Sequence, residues 1–266
     1  MKEVISMWKY PYMVALTIIT AAIYLMGLVP FKAIPLIPGF TEIRPANIFP
    51  ILFGLLFGPA GAWGTAIGNL IGDFFGTFSI GSIFGFIGNF FLAYLPYKVW
   101  GHIGIFSRED REPTLNNAKK LAEFGVVTIL STLSCSLIIA WGLDSLKLVP
   151  FSSLAVIIIL NDTVMTLVFG PLLLPLLYRR MKKWGLIWTD ILLPSDISVS
   201  KFPQFYSLLV AVGSVGGIAV GFAVSILIAG QTVFGEGLGV QTAGHLCTEL
   251  AVLPFVVLLI FGATKL

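Results

Sequence analysis

Charge is scarce in this chain. Asp, Glu, Lys and Arg make up 11% of 266 residues, against about 25% in ordinary soluble domains. With 57% hydrophobic residues and a mean hydropathy of +0.97, this excludes a conventional soluble fold. The net charge of +3 is then a matter of loop topology, not of nucleic-acid binding. Cysteine is nearly absent. Cys135 and Cys247 each fall in an apolar run, so both read as small buried hydrophobes and not as a disulfide or a metal pair. There are two histidines. His102 lacks neighbours suited to catalysis. His245 and Glu249 share a helix face, but two ligands do not make a metal site. No GxxxxGK[ST] phosphate loop is present, so the chain does not hydrolyse ATP by that route. HExxH, CxxC and GxSxG are missing too, as is any paired nucleophile and base. No catalytic residue, metal or cofactor is assigned, and the chain reads as a non-enzyme. A cleaved leader is not expected either: Lys2 and Lys9 precede an apolar run, but Tyr12–Val29 is long enough to span and no small-x-small site follows.

What is present centres on Arg44 to Gly76, RPANIFPILFGLLFGPAGAWGTAIGNLIGDFFG. Gly64, Gly68, Gly72 and Gly76 recur every four residues and so line one side of a helix. In water each interior glycine costs about 0.8–1.0 kcal/mol against alanine. In a bilayer such a stripe lets another helix approach closely. The same helix carries Asn69 and Asp73. A carboxylate near the bilayer core costs about 2.5–3.5 kcal/mol on the insertion scale, which usually marks a function.

Read in order at about 20 apolar residues per span, the chain is all-α and polytopic, with eight expected spans. They lie at about 11–29, 46–58, 61–76, 80–98, 121–142, 151–178, 204–230 and 244–264. The sixth contains Pro171 and Pro175 and should bend or end early. Gly58-Pro59-Ala60-Gly61 is a tight turn. The proline-rich loop after the first span should lie at the membrane surface and fold over the protein. Residues 1–183 form a six-helix membrane core, 184–203 a cytoplasmic or interfacial linker, and 204–266 two additional transmembrane helices. Lys32, Arg44 and Lys147 lie in loops of one side; the rest of the 16 basic residues lie on the other. That bias places both termini in the cytoplasm.

With this topology Asn69, Asp73, Asn89, Asn161 and Asp162 reach similar depths on several helices, with Glu42 and Arg44 at the entry of the second span. They suggest one pocket open to the outside, with Phe40, Phe74, Phe75, Phe78, Phe84 and Trp141 as aromatic neighbours. Bland readings stand beside this one. The asparagines serve equally as interhelical bonds, Asp73 can be solvated, and Glu42 can pair with Arg44. For Asp162 the embedded sequence offers no obvious cation, which makes a ligand the natural partner.

A first helix with small residues, an apolar outer loop, an arginine at the entry and the run LLFGPAGAWGTAIGNLIGD together resemble the substrate-binding S-components of energy-coupling-factor vitamin transporters. The resemblance covers about 1–180. It implies a six-helix subunit in the cell membrane of a prokaryote that captures a vitamin or related micronutrient from outside. It also implies an energising transmembrane partner and two cytoplasmic ATPases. The family's docking pattern on the first helix, Ala-x-x-x-Ala, has Thr17-x-x-x-Ala21 as its nearest match here, with Ala15 and Ala22 nearby. The last two helices depart from the six-helix pattern. The rival readings are a self-sufficient secondary transporter, with Asp73, Asp162 or Glu249 as its proton or ion site, and a membrane enzyme or scaffold.

Overall fold

The computed structural model describes residues 1–37, 41, 42, 44–104, 112–231 and 243–266, the side chains of 35–37, 41 and 42 excepted. A short helix α1 (Lys2–Ser6) precedes α2 (Pro11–Leu28), which starts on a proline whose missing N–H costs nothing in the first turn. A 3-10 turn (Val29–Ala33) leads to a small antiparallel pair, β1 (Pro35–Ile37) and β2 (Thr41–Glu42), with Pro35 opposite Glu42. Then follow α3 (Ile48–Phe57), α4 (Pro59–Asp73), α5 (Ser82–Val99), α6 (Ala118–Ser145) and α7 (Phe151–Lys183). The remainder is α8 (Trp188–Ile191), α9 (Pro203–Ala211), a π turn (Val212–Gly216), α10 (Gly217–Leu227) and α11 (Leu246–Lys265). Below, "upper" means the end of the bundle carrying the C-terminus of α2, and "lower" the end carrying α1.

The protein is a polytopic helical membrane protein. Among the described residues five stretches are long and apolar enough to cross a membrane: Pro11–Ala33, Ala118–Ser145, Phe151–Ile191, Pro203–Leu227 and Leu246–Lys265. At 1.5 Å per residue, the 10 residues of α3 rise only about 15 Å, half a hydrocarbon core. Nine of them are buried, because α3 is walled in by its neighbours instead of by lipid. Gly58 joins α3 to α4 with φ +53°, a left-handed conformation natural to glycine, and Trp188 packs against its α-carbon side. The tight turn expected at GPAG is therefore present. The expected end or bend of the sixth span is not an end: α7 runs through Pro171 and Pro175 to Lys183.

The glycine stripe meets α2. A β-carbon on Gly68 would lie 2.8 Å from the Ala21 carbonyl oxygen, and one on Gly72 2.5 Å from a Leu28 methyl. The facing residues of α2 include two threonines, and both turn their hydroxyls back onto their own helix, with Thr20 Oγ1 also 3.4 Å from the Ala60 carbonyl of α4. Thr17 Oγ1 donates to the Met13 carbonyl at 2.9 Å and Thr20 Oγ1 to the Leu16 carbonyl at 2.8 Å. Small residues close other contacts in the same way, with Gly54 of α3 against the Ala93 backbone of α5 and Gly88 of α5 against Ile139 of α6. On the far side, α9–α11 pack along α6 and α7. Tyr94 donates to the Ala263 carbonyl at 2.9 Å, and Trp141 Nε1 to the Glu249 carbonyl at 3.2 Å. Cys247 corrects an expectation. It is exposed on the first turn of α11, where helix packing does not reach, whereas Cys135 is buried as expected.

At the lower end the segment 184–203 runs beneath α1. Glu3, fully buried, pairs with Lys98 at 2.8 Å and accepts from the Ser198 hydroxyl at 2.6 Å and the Ser198 amide at 3.1 Å. Burial alone would raise the Glu3 carboxyl; the Lys98 ammonium and the Ser198 hydroxyl outweigh it and hold the group below its ordinary value. A carboxyl lowered by folding contributes stability above its unfolded pKa and loses it as pH falls through the folded one. Thermal unfolding followed from neutral to acid pH should therefore show an acid-side loss that Glu3→Gln lacks. An identical acid limb in the variant would assign that loss to other carboxylates.

Candidate functional site

Beneath the upper end, α3–α7 enclose a cavity whose wall is polar on one side and apolar on the other. Arg44 and Asn47 come from the entry to α3, Asn69 and Asp73 from α4, Asn89 from α5, Cys135 from α6, and Asn161 and Asp162 from α7. Ile139, Leu143, Leu154 and Ile158 complete it. A few fixed polar groups in an apolar wall suit a small organic molecule. The space open to water is about 50 Å³, room for roughly three waters. A ligand of ordinary size requires the walls to move apart.

The polar groups form two linked sets. In the deeper one Asn47 Nδ2 donates to Asp162 Oδ1. Tyr24, from α2, donates its hydroxyl to Asn47 Oδ1 at 2.7 Å, and that hydroxyl oxygen lies 3.2 Å from Asn89 Oδ1. Asn89 is turned that way because its Nδ2 donates to the Gly85 carbonyl at 2.9 Å. Asp162 is 1% exposed; the Cys135 thiol interacts with its carboxyl, and its Oδ2 receives no N–H or O–H donor within the described residues. In the shallower set Arg44 Nη1 donates to Asn69 Oδ1 at 3.0 Å. Lys32 Nζ donates to Thr77 Oγ1 at 2.5 Å and lies 3.5 Å from Asp73 Oδ1, to which Thr77 donates at 3.1 Å. Lys32 and Arg44 bracket the loop after α2, so this loop is fastened at both ends to the last turns of α4.

Six residues singled out from the sequence share this cavity: Arg44, Asn69, Asp73, Asn89, Asn161 and Asp162. Trp141 does not line it; its ring stands edge-on to Phe84 and its N–H turns to α11. The Glu42 side chain and Phe40 lie outside the described residues, while Phe74, Phe75 and Phe78 are exposed. Asp73 is not solvated but buried against Lys32. Asp162 does not lack partners, since Asn47 bonds it directly and Arg44 acts on it electrostatically. The four docking candidates divide. Thr17 and Ala21 are buried, with Ala21 against the glycines of α4, whereas Ala15 and Ala22 face outward. His245 caps α11 by accepting from the Cys247 amide at 3.3 Å. Among the described residues no three potential metal ligands converge.

Sequence reasoning missed Tyr24, Lys32, Asn47 and Cys135. For Tyr24 a signal existed: a tyrosine inside an apolar span needs a partner for its hydroxyl. A larger cavity, about 440 Å³, opens at the lower end between Tyr97, Trp100, Tyr178 and Trp188. Its wall draws on 187–189, 197–200 and Pro203 and on none of the residues lining the polar cavity, so the smaller polar cavity is the better candidate.

Breaking the Lys32 contact should be visible without any ligand. Lys32→Ala leaves Asp73 buried beside Thr77 alone, and about 1.4 kcal/mol already changes a local opening equilibrium tenfold. Amide hydrogen exchange at 29–34 is expected to rise about tenfold or more while α6 is unchanged. Unaltered exchange there would show that other contacts fasten the loop.

No curated protein and no solved structure matches the chain. A family model described as QueT transporter matches residues 14–179, from the first turns of α2 to near the end of α7, and so takes in the whole wall of the polar cavity. The chain therefore belongs to the QueT transporter family, S-components of the energy-coupling-factor type and not enzymes.

Proposed function

We propose that this chain is the substrate-capture subunit of an ATP-driven importer, that α2–α7 form its six-helix core, and that its polar cavity receives a queuosine precursor. One observation carries the reading: Arg44, Asn69, Asp73, Asn89, Asn161 and Asp162, scattered over 119 positions of sequence, converge on one cavity. Its chemistry suits the cargo of the family, a queuosine precursor, which is a flat heterocycle with a guanine-like edge. Such an edge offers two adjacent N–H donors, and Asp162, beside the Cys135 thiol, is a buried acceptor on the cavity wall. Among the described residues, Lys32 and Arg44 stand with Asp73 and Asp162 about the cavity, which favours a ligand of little net charge. The apolar side supplies a face for the ring.

Binding energy would favour the closed state, and ATP hydrolysis in separate partners would reset it. Those partners are a transmembrane energising subunit and two cytoplasmic ATPases. On this reading the upper end faces outward and both termini face the cytoplasm, as the basic residues favour. The outward face of α2, with Ala15 and Ala22, would meet the energising subunit, since α9–α11 occupy the opposite side of the core. Titration of the purified protein with 7-deazaguanine tests capture, and mass spectrometry of co-purifying compounds tests it independently. Absence of binding with a different compound retained would overturn the substrate. The buried carboxyl of Asp162 also suits a proton site, which is the secondary-transporter reading. Uptake by this chain alone, abolished by an uncoupler, would favour that alternative.

A further inference from the structure

We infer that Tyr24, on a helix that lends no residue to the cavity wall, determines which ligands the cavity accepts by fixing the orientation of Asn47. The inference rests on reading the cavity as the substrate site. Its basis is the polarity of two consecutive hydrogen bonds. Asn47 gives an N–H of its amide nitrogen to Asp162 Oδ1, which accepts. The Asn47 amide has a nitrogen end and an oxygen end, and nothing in its own shape chooses between them. Tyr24 chooses. Its hydroxyl proton, given to Asn47 Oδ1 at 2.7 Å, holds the oxygen end towards α2 and the nitrogen end towards Asp162.

Among the described residues the other recipient within reach, Asn89 Oδ1, is disfavoured by distance, at 3.2 Å, and the bond of Asn89 Nδ2 to the Gly85 carbonyl keeps that oxygen turned towards Tyr24. All three members are almost fully buried: Tyr24 is 0%, Asn47 3% and Asp162 1% exposed. With Asn47 so held, Asp162 presents Oδ2 to the cavity as a fixed acceptor. A ligand edge rich in N–H is accepted, and one lacking it leaves that oxygen unsatisfied. Without the Tyr24 hydroxyl the amide is free to turn. Its oxygen would then oppose Asp162 Oδ1, and the carboxylate would leave the position from which it reads the ligand. Tyr24 is thus a positioning residue that acts through Asn47, remote from the ligand itself.

The measurement is a ratio of affinities, because a change of general stability lowers both members alike. The probes are 7-deazaguanine and 7-deazahypoxanthine, identical but for the exocyclic amine, titrated calorimetrically into the purified full chain. The wild type is expected to prefer the amine-bearing compound at least tenfold, as sites built around a buried polar group do. In Tyr24→Phe the preference should fall about tenfold. Should Tyr24→Phe fail to fold, Asn47→Leu, which leaves the Tyr24 hydroxyl to Asn89, carries the same expectation. A preference unchanged in the folded variant would overturn the role of Tyr24 and leave the site reading intact. Wild-type protein that binds neither compound would overturn the site reading and the inference together.

Discussion

Replacing Asp162 by alanine is expected to weaken substrate binding roughly ten- to a hundredfold while leaving the protein folded. The carboxylate is buried between α6 and α7, with one oxygen engaged by Asn47 and the other without an N–H or O–H donor within the described residues. A hydrogen bond to a charged group contributes about 1.5–3 kcal/mol, which is that range of affinity. Removing the side chain also strands the Asn47 amide, a stability cost of about 1–3 kcal/mol. Thermal stability should therefore fall somewhat, with the cooperative transition retained. Asp162→Asn separates charge from shape. If charge is what the ligand reads, both variants lose affinity alike; if a neutral acceptor suffices, asparagine retains most of it. Calorimetric affinities unchanged in both would remove Asp162 from the site and shift attention to Arg44 and the loop before it.

The second large effect is structural. Gly64→Leu should yield little or no folded protein. A β-carbon at Gly64 would stand 1.8 Å from Thr20 Oγ1 and 2.8 Å from the Thr17 carbonyl oxygen, so a leucine forces α4 away from α2 along its length. Overpacking ordinarily costs about 1–3 kcal/mol and sometimes more. Here one obstacle is backbone, which has nowhere to turn. Gly125 supplies the control, because a β-carbon there meets nothing within 4 Å and the residue lies on the same kind of apolar helix. Folded yield by size exclusion and midpoint by thermal shift should separate Gly64→Leu from Gly125→Leu widely. Equal behaviour would mean that the α2–α4 contact does not hold the bundle.

The legible parts of the sequence were those where the bilayer makes a residue conspicuous. Glycines every four residues on α4 have a poor reason to exist in water and a good one between helices, and they are found against α2. Arg44, Asp73 and Asp162 stand out because charge is costly at depth, and all three meet at one cavity. Groups that disguise themselves were not legible. Tyr24 passes for core, and only the fold reveals that its hydroxyl serves Asn47. Lys32 and Lys98 pass for interfacial lysines, yet both are buried against acids brought from elsewhere in the chain. On α2 the spacing Thr17-x-x-x-Ala21 identified a helix face suited to close packing. It did not say which helix packs there, and α4 of the same chain claims it. Spacing specifies a surface and leaves its occupant open. The eight-span count has the same weakness, because a buried 10-residue α3 answers to its neighbours and not to the thickness of the lipid.

The family match ends at residue 179, but the bonding of the chain does not divide there. Asp144, at the top of α6, uses a single oxygen, Oδ1, to accept from the Phe151 amide that opens α7 at 3.1 Å, from Gln231 Nε2 at 2.8 Å and from the Gly244 amide at 3.3 Å. Gln231 and Gly244 flank the connection between α10 and α11, so one carboxylate both caps a core helix and gathers in the two ends of the added hairpin. Tyr94 and Trp141, further down, likewise spend their polar atoms on α11. A chain ending at residue 203 would consequently leave the Tyr94 hydroxyl and the Trp141 N–H without their carbonyls and Asp144 with the Phe151 amide alone. The last two helices are in this respect sutured to α5, α6 and the start of α7, whose polar groups are completed by them.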